Sequence, residues 1–244
     1  MDILYGRNPV LEALRSGRGV RKLVVADGLA GDPRLREILG IAEARGISVE
    51  TAPRGRLDDI AHTEHHQGVA GYFHSRPAPR LDRVLAACRP PALLLALDGI
   101  QDPQNLGALL RSAEAVGADA VILPRHRAAG VTPAAVKASA GASEHLPVVV
   151  VPNLAQALDR IGQVGIWRVG LAAEAEGRYD LVDYREPTAI VIGSEGEGLR
   201  PLIRRSCDHL VRLPMAGRIA SLNAAAAGAA ILYEVFRQRG FAAR

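Results

Sequence analysis

Residues 92–116 read ALLLALDGIQDPQNLGALLRSAEAV. A continuous apolar run (92–97) gives way to a polar loop, DGIQDPQN, and then to a helix starting near Asn105. Leu106, Leu109, Leu110, Ala113 and Val116 form one apolar stripe on that helix at helical spacing. A strand without polar alternation is one covered on both faces, as in a parallel sheet. The same character recurs in AVIL (120–123), PVVVV (147–151), WRVGLA (167–172) and AIVIG (189–193), with helical segments over 134–143 and 154–161 between them. Residues 91–244 therefore predict an α/β domain built on a parallel sheet.

Upstream, residues 1–76 predict a smaller α/β module. Asn8-Pro9 caps and starts a helix through Val10, Leu11 and Leu14, stopped by Gly17. A strand at 22–26 follows, then a helix from Asp32-Pro33 through Leu35, Ile38, Leu39 and Ala42 to Gly46, and strands at 47–51 and 69–74. SRPAPR (75–80) has linker composition, and a short helix at 81–88 and the break Pro90-Pro91 follow it. The expected division is 1–76, a linker at 77–90, and 91–244.

Composition narrows the function classes. The chain has 244 residues, 48% hydrophobic and 23% charged, which is the range of globular proteins rather than disordered ones. No apolar run approaches the ~20 residues that cross a bilayer. The opening MDILYGRNPV lacks a basic stretch leading into an apolar one, so a cytoplasmic protein is expected. Cys88 and Cys207 have no CxxC partner and read as reduced thiols, not a disulfide scaffold or a zinc module. Net charge is only +4, and nearly every cation is arginine, the lysines being Lys22 and Lys137. Arginine suits bidentate phosphate contacts, so nucleic acid is compatible with the composition without being selected by it.

Three segments depart from plain scaffold. The loop and helix at 97–116 place Asn105 and Arg111 beyond a strand's carboxyl end, where open parallel sheets bind ligands. Taken alone, they also read as a helix cap and an exposed arginine. AIVIGSEGEGL (189–199) runs a buried strand into a glycine loop with Glu195 and Glu197 inside it. Two carboxylates are poor company for a pyrophosphate, and the loop comes late and in the wrong glycine order for a dinucleotide fingerprint. An acidic glycine loop instead tolerates a cation such as a sulfonium. RLPMAGRIASLNAAAAGAAILYE (212–234) ends a strand, passes through a loop and starts an alanine-rich helix capped by Ser221. His62, His65, His66 and His74 match no zinc spacing and are expected as surface histidines, while Trp167 is expected in the core.

NLGALLRSAEAVGAD, IVIGSEGEGL and LPMAGRIASLNAAAA together resemble, in order, the three motifs of the SpoU (TrmH-like) RNA ribose 2′-O-methyltransferases. GRNPVLEALRSG and HHQGVAG further resemble the substrate-binding domain of the bacterial large-subunit rRNA guanosine subgroup. The resemblance implies a deep trefoil knot in the C-terminal domain, with the chain after about Gly193 threaded through an earlier loop. It also implies an N-terminal domain like the L30e RNA binders, and a homodimer with the active site between subunits. S-adenosylmethionine is the implied methyl donor, with no metal; rRNA (23S) is the implied partner. Asn105, Arg111, Glu195, Ser221 and Asn223 match the family's polar catalytic positions. Gly193, Leu213, Met215 and Leu222 match positions lining the cofactor. The chain departs from the family after Asn223, where Ala224, Ala225 and Ala226 replace the usual Val-Ser-Val. The expected consequence falls on helix packing and dimer contact more than on chemistry.

The implied reaction moves a methyl group to a ribose 2′ oxygen. A guanidinium has no acceptor and a pKa above ~12, so Arg111 is expected to grip a phosphate and orient the hydroxyl rather than act as base. The other classes considered are a conventional dinucleotide-type enzyme, a tRNA methyltransferase of the same family, and a non-catalytic RNA-binding protein with this fold. An aromatic content of 4% argues against a base-stacking platform.

Overall fold

The computed structural model describes residues 1–29, 31–126, 128–218 and 221–242. They fall into two compact units, Met1–Pro77 with Val131–His145, and Ala78–Gly130 with Leu146–Arg244.

The first unit runs β1 (Asp2–Tyr5), α1 (Arg7–Arg15), β2 (Val20–Ala26), α2 (Pro33–Ala44), β3 (Ser48–Ala52), α3 (Arg54–Ala61) and β4 (Val69–Phe73). Its sheet has the order β1-β4-β2-β3, with β4 antiparallel to both neighbours and β2 parallel to β3. Leu4, Val10, Leu23, Ile38 and Phe73 build the core on one face, and Val24, Leu57 and Ile60 on the other. At α2 the expected start holds: Asp32 accepts from the backbone N–H groups of Arg34 and Leu35 at 3.0 and 3.1 Å, and Pro33 opens the helix. At α1 it does not, because Gly6 occupies the cap position and Asn8 lies inside the helix. Neither β1 nor α3 was anticipated. Four residues are too few for a periodic signal, and α3 buries only Leu57, Ile60 and Ala61. His62, His65 and His74 are exposed, but His66 is buried. Its Nε2 lies 2.9 Å from Asp58 and its Nδ1 accepts from the Gly68 N–H at 2.9 Å, so this ring is a structural clasp rather than a surface group.

The second unit and its insertion run α4 (Leu81–Ala87), β5 (Leu93–Asp98), α5 (Pro103–Ala115), β6 (Ala120–Pro124), α6 (Pro133–Ala138), β7 (Val148–Val151), α7 (Leu154–Gln163), β8 (Trp167–Leu171), β9 (Gly177–Arg178), β10 (Thr188–Gly193), α8 (Pro201–Arg205), β11 (His209–Arg212) and α9 (Ala224–Gln238). Seven strands pair in the order β7-β6-β5-β10-β8-β11-β9, every pairing parallel. All residues of β5, β6 and β10 are buried, as the unbroken apolar runs require. Leu81, Leu158, Ile161 and Ile203 from α4, α7 and α8 join the core on one face. On the other, α5 and α9 pack together. There a Cβ on Gly228 would come within 2.3 Å of Leu109 Cδ2 and 2.7 Å of Ile192 Cδ1, so the small-residue start of α9 permits close packing.

Two expectations for this half are corrected. Residues 131–145, read as part of the C-terminal domain, cluster with the first unit. Val136 joins the apolar cluster of Leu4 and Val10, Lys137 Nζ donates to the His65 carbonyl at 2.8 Å, and Glu144 pairs with Arg18 at 2.8 Å, both side chains at most 6% exposed. Local periodicity reveals a helix there but not the sheet it packs against. Trp167 is half-exposed, because it is the first residue of β8, at the sheet's amino edge, where its ring lies 5.5 Å from that of His209.

Candidate active site

The carboxyl ends of β8, β10 and β11 open on a cavity of about 490 Å³. Its walls come from 171–174, from 192–199, from Leu213 and Met215, and from Ser221–Ala224 with Ala227. A second cavity of about 330 Å³ lies where 99–102 and Asn105 meet Ser194, Glu195 and Glu197. Strand polarity explains both positions, since every strand of a parallel sheet delivers its following loop to the same edge.

The glycine loop closes on itself. Ser194 and Gly198 exchange backbone hydrogen bonds of 3.2 and 3.0 Å, and a Cβ on Gly193 would lie 2.1 Å from the Gly198 carbonyl carbon. Only glycine at 193 allows that approach. The closure presents Glu195 to two other loops. Its Oε1 accepts from Asn105 Nδ2 at 3.1 Å, from Asn223 Nδ2, and from the Ala224 N–H at 3.3 Å. Asn223 Nδ2 also donates to Asn105 Oδ1 at 2.9 Å. Oε2 of Glu195 has no hydrogen-bond partner among the described residues. A carboxylate at the amino end of the 15-residue α9 is favoured by the helix dipole.

Caps decide which side chains are available. Asp102 caps α5, accepting from Gln104 N and Asn105 N at 3.2 and 3.1 Å, so the helix begins at Pro103 and Asn105 does not cap it. That leaves the Asn105 amide for Glu195. Likewise Asn223, not Ser221, caps α9, accepting from Ala225 N and Ala226 N at 2.9 and 3.2 Å. Ser221 is exposed and lines the larger cavity without a hydrogen bond among the described residues.

Of the residues singled out from sequence, Gly193, Leu213, Met215, Leu222, Glu195, Ser221 and Asn223 line the larger cavity, and Asn105 meets Glu195 in the adjoining one. Arg111 lines neither; it is exposed on α5 with no ion pair among the described residues. Sequence reasoning missed Glu174, in the segment after β8, and the pair of buried Asp98 with part-exposed Arg200. The polar residue closing an otherwise apolar β5 was the available signal for the pair. Cys207, packed against Leu199 and Gly170, is no nucleophile, since burial pushes its thiol up to about 12.

The larger cavity is lined by Glu174, Glu195 and Glu197 and by no lysine or arginine among the described residues. Glu174 is already paired with Arg204, whereas Glu195 and Glu197 have no ion pair among the described residues. Apolar walls, approachable backbone and those two carboxylates suit a cationic ligand with an apolar body better than a pyrophosphate.

Comparison with known proteins agrees. Residues 92–233 match the SpoU rRNA methylase family, and residues 3–79 match a domain described as RNA 2′-O ribose methyltransferase substrate binding. A Synechocystis protein described as an uncharacterized tRNA/rRNA methyltransferase is 42% identical over 99% of this chain, which spans 64% of that relative's length. A Bacillus subtilis protein, YacO, described within the TrmH family of tRNA/rRNA methyltransferases, is 39% identical over 98% of this chain and 96% of its own. Among solved structures, the SpoU methyltransferase AviRb of Streptomyces viridochromogenes in complex with AdoMet superposes with a TM-score of 0.82 at 32% identity, covering 98% of this chain and 91% of that one. An AdoMet-bound rRNA methyltransferase of Sinorhizobium meliloti gives 0.79 at 27% identity, over 97% and 87%. The chain belongs to the SpoU (TrmH-like) family of RNA methyltransferases.

Proposed function

We propose that this chain transfers a methyl group from S-adenosylmethionine to the ribose 2′-hydroxyl of a guanosine in 23S rRNA, in the cytoplasm. The observation that carries the reading is the meeting of Asn105, Glu195 and Asn223 beside a cavity whose charged lining, among the described residues, is acidic. S-adenosylmethionine supplies an electrophilic methyl group on a cationic sulfur. Gly193, Leu213, Met215 and Leu222 hold the donor, mainly through backbone atoms, and the carboxylates beside them accommodate its charge. Asn105 and Asn223 hold Oε1 of Glu195, which leaves Oε2 to accept from a ribose hydroxyl. Ser221 steadies the third loop at the cavity. Arg111 grips the adjacent phosphate, orients the 2′-hydroxyl and stabilises negative charge developing on its oxygen. The proton leaves to the phosphate or to water, because a guanidinium cannot accept it.

This reading includes a homodimer with the active site between subunits. Its support is that Arg111 lies outside both cavities with no ion pair among the described residues, and that Leu222, Tyr233 and Phe241 are between 44% and 59% exposed. It also includes the trefoil knot after about Gly193, supported by β10 lying between β5 and β8, and an L30e-like first unit, supported by its mixed four-stranded sheet with apolar cores on both faces. A tRNA substrate is the second reading, favoured by relatives described as tRNA/rRNA methyltransferases. Methyl transfer to rRNA lacking the modification, with the product nucleoside identified, tests both. 2′-O-methylguanosine is the expected product; a pyrimidine product or activity on tRNA alone overturns the subgroup assignment. Arg111→Lys should cut turnover by more than about a hundredfold while leaving cofactor affinity within about twofold. Near-normal turnover would remove Arg111 from the reaction.

A further inference from the structure

The geometry points to Asp98 as a positioning residue, one that sets the register between the loop carrying Asn105 and the loop carrying Glu195. Asp98 is the last residue of β5 and is completely buried. Across the parallel ladder it is aligned with Gly193, the last residue of β10, where the glycine loop departs. Its carboxylate receives two hydrogen bonds and an ion-pair contact from Arg200, where that loop returns. The Arg200 N–H donates to Oδ2 at 2.9 Å, Nε donates to Oδ1 at 2.7 Å, and Nη2 lies 2.5 Å from Oδ1. The Asp98 side chain therefore ties the departure of the first loop to the return of the second, while its backbone is in register with the departure of the second.

The fold of the sheet does not ask for this carboxylate. β5 is paired on both sides, by β6 and β10, and a further apolar residue would simply extend LLLAL. An ion pair that buries a carboxylate adds little net stability over apolar packing, whereas it specifies one arrangement of the groups it joins. What it specifies here is where 99–105 stands against 194–198, and so whether Asn105 Nδ2 meets Glu195 Oε1 at 3.1 Å. A shift of about an ångström at such a contact is enough to cost a large factor in rate.

The inference rests on the reading that the larger cavity takes S-adenosylmethionine, and the test separates the two. Calorimetry measures cofactor affinity, kinetics measure kcat and both KM values, and thermal melts measure stability, for the unaltered chain and for Asp98→Asn, Arg200→Ala, Arg200→Lys and Leu158→Ala. Leu158 is a fully buried α7 residue in the core, outside both cavities. Asp98→Asn and Arg200→Ala should weaken cofactor binding and lower kcat by about tenfold each, with the RNA KM within about twofold. Arg200→Lys, which keeps the charge, should recover most of the affinity. Leu158→Ala should melt at lower temperature yet bind cofactor within about twofold of the unaltered chain. Arg200 is part-exposed, so its variants carry the test even if Asp98→Asn does not fold. Unaltered affinity and kcat in Arg200→Ala would overturn the inference, as would an equal loss of affinity in Leu158→Ala. Absence of cofactor binding by the unaltered chain would instead overturn the reading of the cavity.

Discussion

Glu144 in the first unit and Glu195 in the second each join segments far apart in sequence, but they do so in opposite surroundings. The Glu144 side chain is 4% exposed and meets Arg18, itself 6% exposed, with Arg76 3.5 Å from its other oxygen. Arg18 in turn reaches Asp2 and donates to the His74 carbonyl at 3.0 Å. Glu195 is exposed and its partners are neutral amides. Among the described residues only its Oε1 is hydrogen-bonded, as only one oxygen of Glu144 is, so exposure and partner charge are what separate the two. A buried charge must be paired to be tolerated, so Glu144 and Arg18 are committed to the fold. An exposed carboxylate held by neutral donors contributes little to stability and keeps an oxygen for another molecule. That difference separates scaffold from site more sharply than residue type does.

The comparison breaks most easily at Glu144. Glu144→Ala should lower stability by about 1–3 kcal/mol in chemical denaturation, since Arg18 loses its buried partner while keeping Asp2 and the His74 carbonyl. A loss under about 1 kcal/mol would mean the pair is no more committed than a surface contact. Glu195→Gln should do the reverse, lowering kcat by about a hundredfold while unfolding stability stays within about 0.5 kcal/mol. Equal activity would deprive the exposed cluster of its chemical role. Gly228→Ala sharpens the distinction from within the site's own helix. Its Cβ would press on Leu109 and on Ile192, a wall of the larger cavity, so stability should fall by about 1–3 kcal/mol and cofactor affinity should fall less than kcat does in Glu195→Gln.

The smallest effect is expected at an intermediate pair. Hydrogen bonds from Arg168 hold the Asp208 carboxyl below the ordinary carboxylate range, against a smaller opposing effect of burial. A folded-state value below the unfolded one adds stability that is fully present above the unfolded value, near 3.9, and is lost as pH falls through the folded value. Arg168→Gln should therefore cost about 0.5 kcal/mol at neutral pH, after allowing for solvent screening, and nothing once both forms are protonated. Denaturation curves that differ equally at pH 7 and pH 2 would assign the effect of Arg168 to packing instead.

Much of the second unit was legible because its information is local. The runs at 92–97, 120–123 and 189–193 are apolar at every position because β5, β6 and β10 are covered on both faces, and the loops after β5, β10 and β11 were found at the edge where parallel strands deliver them. Charge was not informative: split near residue 80, the two parts carry 12 basic against 10 acidic residues and 18 against 16. The caps show where local information ends. Asp102 and Asn105 are both good caps, as are Ser221 and Asn223, and a backbone N–H accepts any of them. Which one caps, and which is left to bond across loops, was settled by the meeting of three loops around Glu195.

By itself, then, the sequence determined the two α/β patterns, the parallel sheet and the three loop segments that depart from scaffold, because periodicity acts over a few residues, while the individual site residues were named through the family resemblance. Tertiary structure alone decided that 131–145 packs with the first unit, that His66 is buried and Trp167 is not, that Asp98 holds Arg200, and that Arg111 stands outside both cavities. Each of those depends on burial and charge pairing between positions far apart in the chain, and such pairings leave no period in the sequence to read.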